Sequence, residues 1–242
     1  MTVDKTPDRV RRMFDEIAPR YDFLNRLLSF GVDRSWRRKT AKAICKKLPD
    51  GPILDVCTGT GDLLLEFFRR EPLRQLVGID FSQEMIARAV KKTERAKASL
   101  PIEFHVGDAM NLPFDDNHFA AVSVAFGLRN ISDTDKGLAE MVRVCKPGGV
   151  VAVLDFSVPR VPIFSSVYRF YFRFLLPRIG QFFAKSRESA YHYFPQSVLE
   201  FDTASHLAER MTQHRVTNIQ TLSMTFGVAY LLYGIKDAQR TD

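Results

Sequence analysis

The run Asp55-Val56-Cys57-Thr58-Gly59-Thr60-Gly61-Asp62 joins an apolar stretch to an amphipathic one. Two glycines at a strand-to-helix turn let the backbone approach a ligand closely and present the free amides of the helix start. A dinucleotide fingerprint requires a third glycine three positions on, and Leu64 stands there. Asp62 would also set a carboxylate beside any pyrophosphate. NAD is therefore disfavoured, and a phosphate-free ligand with a cationic centre suits the loop better. Asp80 closes the next apolar run, where its carboxylate can accept both hydroxyls of a ribose. Asp108 closes the one after, beside the small Ala109, where it can accept a proton from an adenine amino group. A lone aspartate at such a position is as readily a helix N-cap. Three at successive strand ends share one edge of a sheet. Asp55, Thr58, Gly59, Thr60, Gly61, Asp80, Asp108 and Ala109 together read as the site of a nucleoside-type cofactor.

Those residues need a sheet to hold them. Apolar runs at 53–57, 76–80, 102–106, 121–125 and 150–155 alternate with helical patterns at 62–70, 82–98 and 134–144. Continuously apolar strands are those covered on both faces, and strand–helix alternation with short links predicts an α/β fold with a doubly wound, mostly parallel sheet. Thr6-Pro7 is expected to open a helix. Helical pattern then runs to about Leu48, broken near Pro19 and Gly31. In its last piece Trp36, Thr40, Ala43 and Ile44 share one face, while Arg37, Arg38, Lys39, Lys42, Lys46 and Lys47 cover much of the rest. Toward the end, helical pattern recurs at 196–211, and 216–222 with 227–235 form a closing pair of strands. The expected organisation is a single domain over 1–242. It has a helical cap at 1–50, a cofactor-binding core at 51–158, a helical lid or interfacial insertion at 159–195 and a closing helix and strands at 196–236.

Composition is that of an ordinary globular chain, 45% hydrophobic and 26% charged over 242 residues, enough for one sizeable core. Cys45, Cys57 and Cys145 are an odd number in apolar surroundings, which reads as free thiols in a reducing compartment. The five histidines have no ligand spacing, so no metal is expected. Residues 1–12 lack the apolar core of a secretory signal, and polar residues interrupt the uncharged stretch 216–235. The chain reads as cytoplasmic. Its net charge of +7 favours anionic partners, nucleic acid or an acidic lipid surface.

With this loop and these acids the chain resembles the class I methyltransferases, whose glycine loop and two strand-end acids bind S-adenosylmethionine. More specific blocks go further. Tyr21-Asp22-Phe23-Leu24-Asn25 with Leu28-Ser29 and Trp36, then Phe126-Gly127-Leu128-Arg129-Asn130, are similar to signatures of the ubiquinone/menaquinone biosynthesis C-methyltransferases. So is the run Arg143-Val144-Cys145-Lys146-Pro147-Gly148-Gly149 followed by Leu154-Asp155-Phe156-Ser157. The resemblance spans 10–236. Asp33 stands where that family usually has His, and Asp155 where it has Glu. Ala125 replaces a Ser that often contacts the cofactor, which leaves contact there to the backbone.

The resemblance implies S-adenosylmethionine as cofactor and the ring carbon of a polyprenyl quinol as acceptor, demethylmenaquinol foremost, with a methoxy-benzoquinol left open. A phenol with a pKa of about 10 is a weak carbon nucleophile until it loses its proton, so a base or a cation beside the phenolate would help. Arg129 is the candidate for that cation or for orienting a water, with a structural salt bridge as its other reading. Asn130 could hold the second ring oxygen, Asp155 could act as base, and Tyr21 with Asn25 could come over the cofactor from the cap; for Tyr21, core packing is the plainer role. Residues 159–187 interleave eight aromatics with six Arg or Lys and no acid. They read either as a lid helix or as an interfacial element that rests on acidic lipid at the inner face of a membrane and admits the prenyl tail.

Amino-group methylation of DNA would want an Asn/Asp-Pro-Pro-aromatic turn after the fourth strand, and the turn here is Ala125-Phe126-Gly127-Leu128. Cytosine-ring chemistry would want Pro-Cys, and Cys145 follows Val144. Nucleic acid is thus not the expected partner. Another small-molecule or lipid methyltransferase, or a non-catalytic scaffold of quinone biosynthesis, stays open, as does self-association.

Overall fold

The computed structural model describes residues 3–46, 48–96, 102–159 and 190–238, with backbone alone at 190–192. Strands β1 (Ile53–Val56), β2 (Leu76–Asp80), β3 (Glu103–Val106), β4 (Phe119–Ala125) and β5 (Cys145–Phe156) form the parallel part of the sheet. β6 (Val216–Met224) and β7 (Ala229–Lys236) complete the order β3-β2-β1-β4-β5-β7-β6, with β7 antiparallel to both neighbours. β1 and β4 are buried almost throughout, as their unbroken apolar sequences require. Strand order reverses between β1 and β4, and the crevice beyond their carboxyl ends is where such sheets bind ligands.

Alternate residues of each strand feed two cores. Val122, Val124, Val151, Val153 and Leu232 pack with Leu138 and Met141 of α6 (Thr134–Val144) and with Leu207 and Met211 of α8 (Ala204–Gln213). On the other face Ile53, Ala121, Ala152 and Leu154 meet Trp36 and Ile44 of α3 (Asp33–Ile44) and Leu64 and Phe67 of α4 (Asp62–Phe68). Each fully buried Leu or Phe contributes roughly 1.5–3 kcal/mol of transfer free energy.

Helix starts follow local chemistry. Ser82 caps α5 (Gln83–Arg95) by accepting from Met85 N at 3.1 Å, and Asp133 caps α6 by accepting from Lys136 N at 3.0 Å. α1 (Pro7–Ile17) opens on its proline, but the Thr6 hydroxyl donates to Asp4 Oδ1 at 2.5 Å and caps nothing. α2 (Tyr21–Leu28) follows after a short turn at Pro19.

Three expectations need correction. The helical pattern at 196–211 is two helices, α7 (Ala190–Glu200) and α8, because Thr203 accepts from His206 N and starts a new helix. The helix at 62–70 stops at Phe68. Arg37, assigned to the polar face of α3, is buried and paired with Asp33 at 2.5 Å, with its guanidinium 5.2 Å from the Phe126 ring centroid. Of the expected lid or interfacial segment, residues 160–189 lie outside the described residues, as do 97–98, and its last six residues open α7. Among the described residues no helix is long and apolar enough to cross a membrane.

Candidate functional site

A cleft enclosing about 780 Å³, its mouth included, opens at the β1/β4 switch point. That is within the usual range for small-molecule sites. Its floor is the loop after β1 and the turn after β4, where Cys57, Gly59, Ala125, Phe126, Gly127 and Asn130 line it. Gly59 has φ +55°, a conformation that disfavours any side chain, and a Cβ there would point at Tyr21, 3.8 Å away. Gly127 is required for another reason. A Cβ on it would sit 2.4 Å from Cys57 Cβ, so only glycine lets the β1 and β4 loops close on each other.

Asp80 and Asp108 line the far wall. Asp80 accepts Gly59 N at 2.8 Å and Ser82 N at 2.9 Å, so main-chain amides fix its carboxylate at the tip of β2. Burial nevertheless pushes its pKa up, against the pull of those amides. Asp108 is exposed and accepts Met110 N at 2.8 Å beside the buried Ala109.

Four residues assigned to the cofactor stand behind the wall and not on it. Asp55 is 1% exposed, accepting Thr58 Oγ1 at 2.8 Å and Ser123 Oγ at 2.7 Å, and burial raises its pKa to about 7. It holds the loop from beneath. Thr60 donates to Asp22 Oδ1 at 2.6 Å and accepts from Lys92 Nζ at 2.8 Å, and Gly61 precedes α4 with φ +78°. Asp62 is likewise turned aside. Lys92 reaches it at 2.7 Å and Asp22 at 2.5 Å, tying α2 to α4 through α5. Burial would raise the Asp62 pKa, but Arg37 and Lys92 hold it below the carboxylate range. Its carboxylate is spent on Lys92, so the loop's case against a pyrophosphate does not rest on it.

The cap roofs the cleft. Pro7, Val10 and Phe14 of α1 line it together with Tyr21, whose ring meets Phe14 edge-on at 6.2 Å between centroids. Ser82 Oγ donates to Asp15 Oδ1 at 2.5 Å and fastens α1 over α5. Asn25 does not line the cleft.

The turn after β4 departs most from expectation. Asn130 lines the cleft, its Nδ2 donating to Phe126 O at 3.3 Å and its Oδ1 accepting from Tyr193 Oη at 3.1 Å. Arg129 and Asp155 do not line it. Arg129 donates to the Phe126 carbonyl and, at 3.0 Å, to Asp155 Oδ1. Its guanidinium lies 5.3 and 5.2 Å from the ring centroids of Phe156 and Phe194. Asp155 is fully buried, and its Oδ2 has no hydrogen-bond partner among the described residues. Burial raises its pKa, opposed by Arg129. The structure pairs the two residues behind the wall and does not bring either of them to the cleft, where their direct roles were expected.

Sequence reasoning missed the roof residues of α1, the Lys92 clasp and Lys5. Among the described residues that line the cleft, the charged ones are Asp80, Asp108 and Lys5. An Asp in a signature block hints at an unseen cation, but no local spacing ties Asp22 to Lys92. The described residues contain no cluster of three or more His, Cys, Asp or Glu fit to hold a metal ion.

Known proteins share this architecture and sequence. The solved structure of a methyltransferase from Thermotoga maritima, described as a possible histamine N-methyltransferase, aligns with a TM-score of 0.65. At 17% identity, over 94% of this chain and 100% of that one, the likeness speaks to fold alone. The ubiquinone/menaquinone biosynthesis C-methyltransferase UbiE of Geotalea daltonii is 46% identical over 95% of this chain and 97% of its own. The demethylmenaquinone methyltransferase of Deinococcus radiodurans is 44% identical over 94% of this chain and 92% of its own. The profile of the ubiE/COQ5 methyltransferase family matches residues 1–236, and with relatives this similar along nearly the whole chain, the protein belongs to that family.

Proposed function

We propose that this chain transfers a methyl group from S-adenosylmethionine to a ring carbon of a reduced polyprenyl quinone, demethylmenaquinol foremost. The observation that carries it is the cleft itself: two strand-tip carboxylates and a close-approach glycine on one side, an apolar roof on the other. The donor set fits the cofactor, because Asp80 and Asp108 are acceptors suited to ribose hydroxyls and an adenine amino group, and the cation beside the loop, Lys92, is already paired with Asp62 and Asp22. When bound, S-adenosylmethionine supplies an electrophilic methyl on a cationic sulfur. Asp80, Asp108, Gly59 and Ala109 would hold it, with the Ala125 backbone beneath.

The remaining residues work on the acceptor. Phe14, Val10 and Tyr21 exclude water, which lengthens the reach of every charge inside. Asn130, held by Phe126 O and Tyr193 Oη, is positioned to orient a ring oxygen. Arg129 acts at one remove, gripping the Phe126 carbonyl so that the turn carrying Asn130 keeps its shape. Alignment of carbon, methyl and sulfur then contributes much of the acceleration.

The prenyl tail reaches the cleft from a bilayer, with residues 159–187 resting on acidic lipid at the cytoplasmic face; their interleaved aromatics and cations, with no acid, support this. The test is transfer of label from S-adenosylmethionine to chemically reduced demethylmenaquinone and, in parallel, to a reduced methoxy-benzoquinone. Label on either ring supports the proposal and names the acceptor. No label on either, with cofactor binding intact, sinks it.

A further inference from the structure

Methylation at a phenol's ortho carbon calls for a cation beside the oxygen, and Arg129 is committed to Asp155 behind the wall. We propose that Lys5 supplies that cation: its ammonium forms an anion site for the phenolate oxygen of the acceptor ring. The proposal rests on the quinol function above.

Lys5 is the cationic side chain among the described residues lining the cleft. It forms no ion pair among the described residues, and its Nζ lies 5.9 Å from the centroid of the Phe201 ring. The acids around it are engaged elsewhere. Glu200 accepts Val3 N at 2.7 Å and Gln196 Nε2 at 2.8 Å, while Asp202 is held by Arg210 and by His206 Nδ1 at 2.6 Å. Asp155 is taken by Arg129.

Position along the cleft matters as much as charge. Burial acts first on Lys5, pulling its pKa below the ordinary lysine value, and the charges that then act on it are Asp202, Glu200, Arg129 and Asp155. All belong to the β4, β5 and α7–α8 side. Geometry places it there too: Nζ lies 5.9 Å from the ring centroid of Phe201, in the link between α7 and α8, and α7 carries Tyr193, which donates to Asn130 Oδ1 at 3.1 Å. Lys5 therefore stands on the Asn130 side of the cleft, the side left for an acceptor ring. A half-buried ammonium with no ion pair among the described residues gains from an incoming anion more than a hydrated one does.

The step balances with water as the only further reactant. The ring hydroxyl gives its proton to water, and the ammonium holds the resulting oxygen anion. The ring carbon's new bond to the methyl forms as the carbon–sulfur bond breaks. The proton on that carbon then leaves to water, aromaticity returns as a phenolate, and the oxygen takes a proton back from water on release, so that one proton is given up overall.

The full chain is tested as wild type, Lys5→Met and Lys5→Arg, each checked for an unchanged thermal midpoint. The binding probe is a 1-naphthol with a short prenyl chain, which lacks the second hydroxyl and resists oxidation, added with S-adenosylhomocysteine. Its naphtholate absorbance is followed against pH. The expected result is a naphthol pKa lowered by about one unit or more on the wild type and on Lys5→Arg, and not on Lys5→Met. On reduced demethylmenaquinone, kcat of Lys5→Met should fall about tenfold or more with the KM for S-adenosylmethionine unchanged. Equal naphthol pKa on wild type and Lys5→Met would overturn the proposal. So would a Lys5→Met variant that loses cofactor affinity at unchanged kcat, since Lys5 would then serve the cofactor. Failure of the wild type to methylate any quinol would remove the underlying function and the proposal together, a result distinct from transfer indifferent to Lys5.

Discussion

Two strand-end regions of this molecule look alike in sequence and behave oppositely in the fold. At the β1–β2 end, Asp80 is fixed by two main-chain amides and keeps its place on the cleft wall. At the β4–β5 end, Arg129 in the turn after β4 and Asp155 near the end of β5 satisfy each other behind the wall, with the guanidinium against Phe156 and Phe194. A carboxylate held by backbone amides still has lone pairs for a ligand. A carboxylate held by a buried guanidinium has become part of the scaffold. Strand-end placement selects candidates, and the identity of the partner decides which of them meet the ligand.

The sharpest way to break this contrast is to unpair the framework. Arg129→Met leaves Asp155 buried without its counter-charge and should cost about 3–5 kcal/mol of unfolding free energy, read as a loss of chemical-denaturation midpoint. Replacing both partners by apolar residues, Arg129→Met with Asp155→Leu, should return most of that stability. If the double variant is no better than the single, the pair is not simple framework.

Asp80→Ala should divide its effect the other way. Losing a charged acceptor for ligand hydroxyls costs roughly 2–3 kcal/mol of cofactor affinity, on the order of a hundredfold in Kd by calorimetry with S-adenosylhomocysteine. Its loss of stability should be smaller than that of Arg129→Met. Equal stability losses at the two ends would erase the distinction.

Asp55 sharpens the comparison through pH. Its folded pKa of about 7 lies above the ordinary value of 3.8, so between those two pH values the folded state holds a proton that the unfolded state has released. Its contribution therefore favours the fold at low pH and declines as pH rises through that window. Asp55→Asn, which keeps a polar amide against Thr58 and Ser123, should flatten this decline in denaturation midpoints measured from pH 4 to pH 7. An unchanged slope would show that Asp55 does not titrate there.

The smallest effect is expected at the Lys92 clasp, which is partly open to solvent. Lys92→Met frees Asp22 and Asp62 and should cost about 1 kcal/mol, mostly as faster hydrogen exchange in α2 and not as global unfolding. Protection unchanged in α2 would mean the clasp does not hold the cap.

Much of this was legible from local chemistry. β2 matches its expected bounds and α6 matches to the residue, because an unbroken apolar run and an Asp cap followed by helical periodicity are decided within a dozen residues. The glycine turn after β1 and the acids beyond β2 and β3 were legible for the same reason, since each is a feature of a single turn, and the cleft opens beside them. Arg37 and Asp62 were not legible. Each reads as a solvated or ligand-facing charge, yet Arg37 lies under Phe126 and Asp62 meets Lys92, thirty positions away. The break between α7 and α8 was hidden by an apolar pattern that continues across it.

By itself the sequence determined the order of strands and helices, the glycine loop, the acids at the strand tips and membership of a methyltransferase family. These depend on periodicity, turn chemistry and short signatures, all of which act between neighbours along the chain. Only the tertiary structure decided which charges face the cleft and which are used up behind it. That choice withdrew Arg129 and Asp155, lodged Asp55 beneath the loop and brought Lys5 to the wall. Its physical reason is that a charge's role is set by its nearest counter-charge and its access to water, and both are fixed by segments that meet only once the chain has folded.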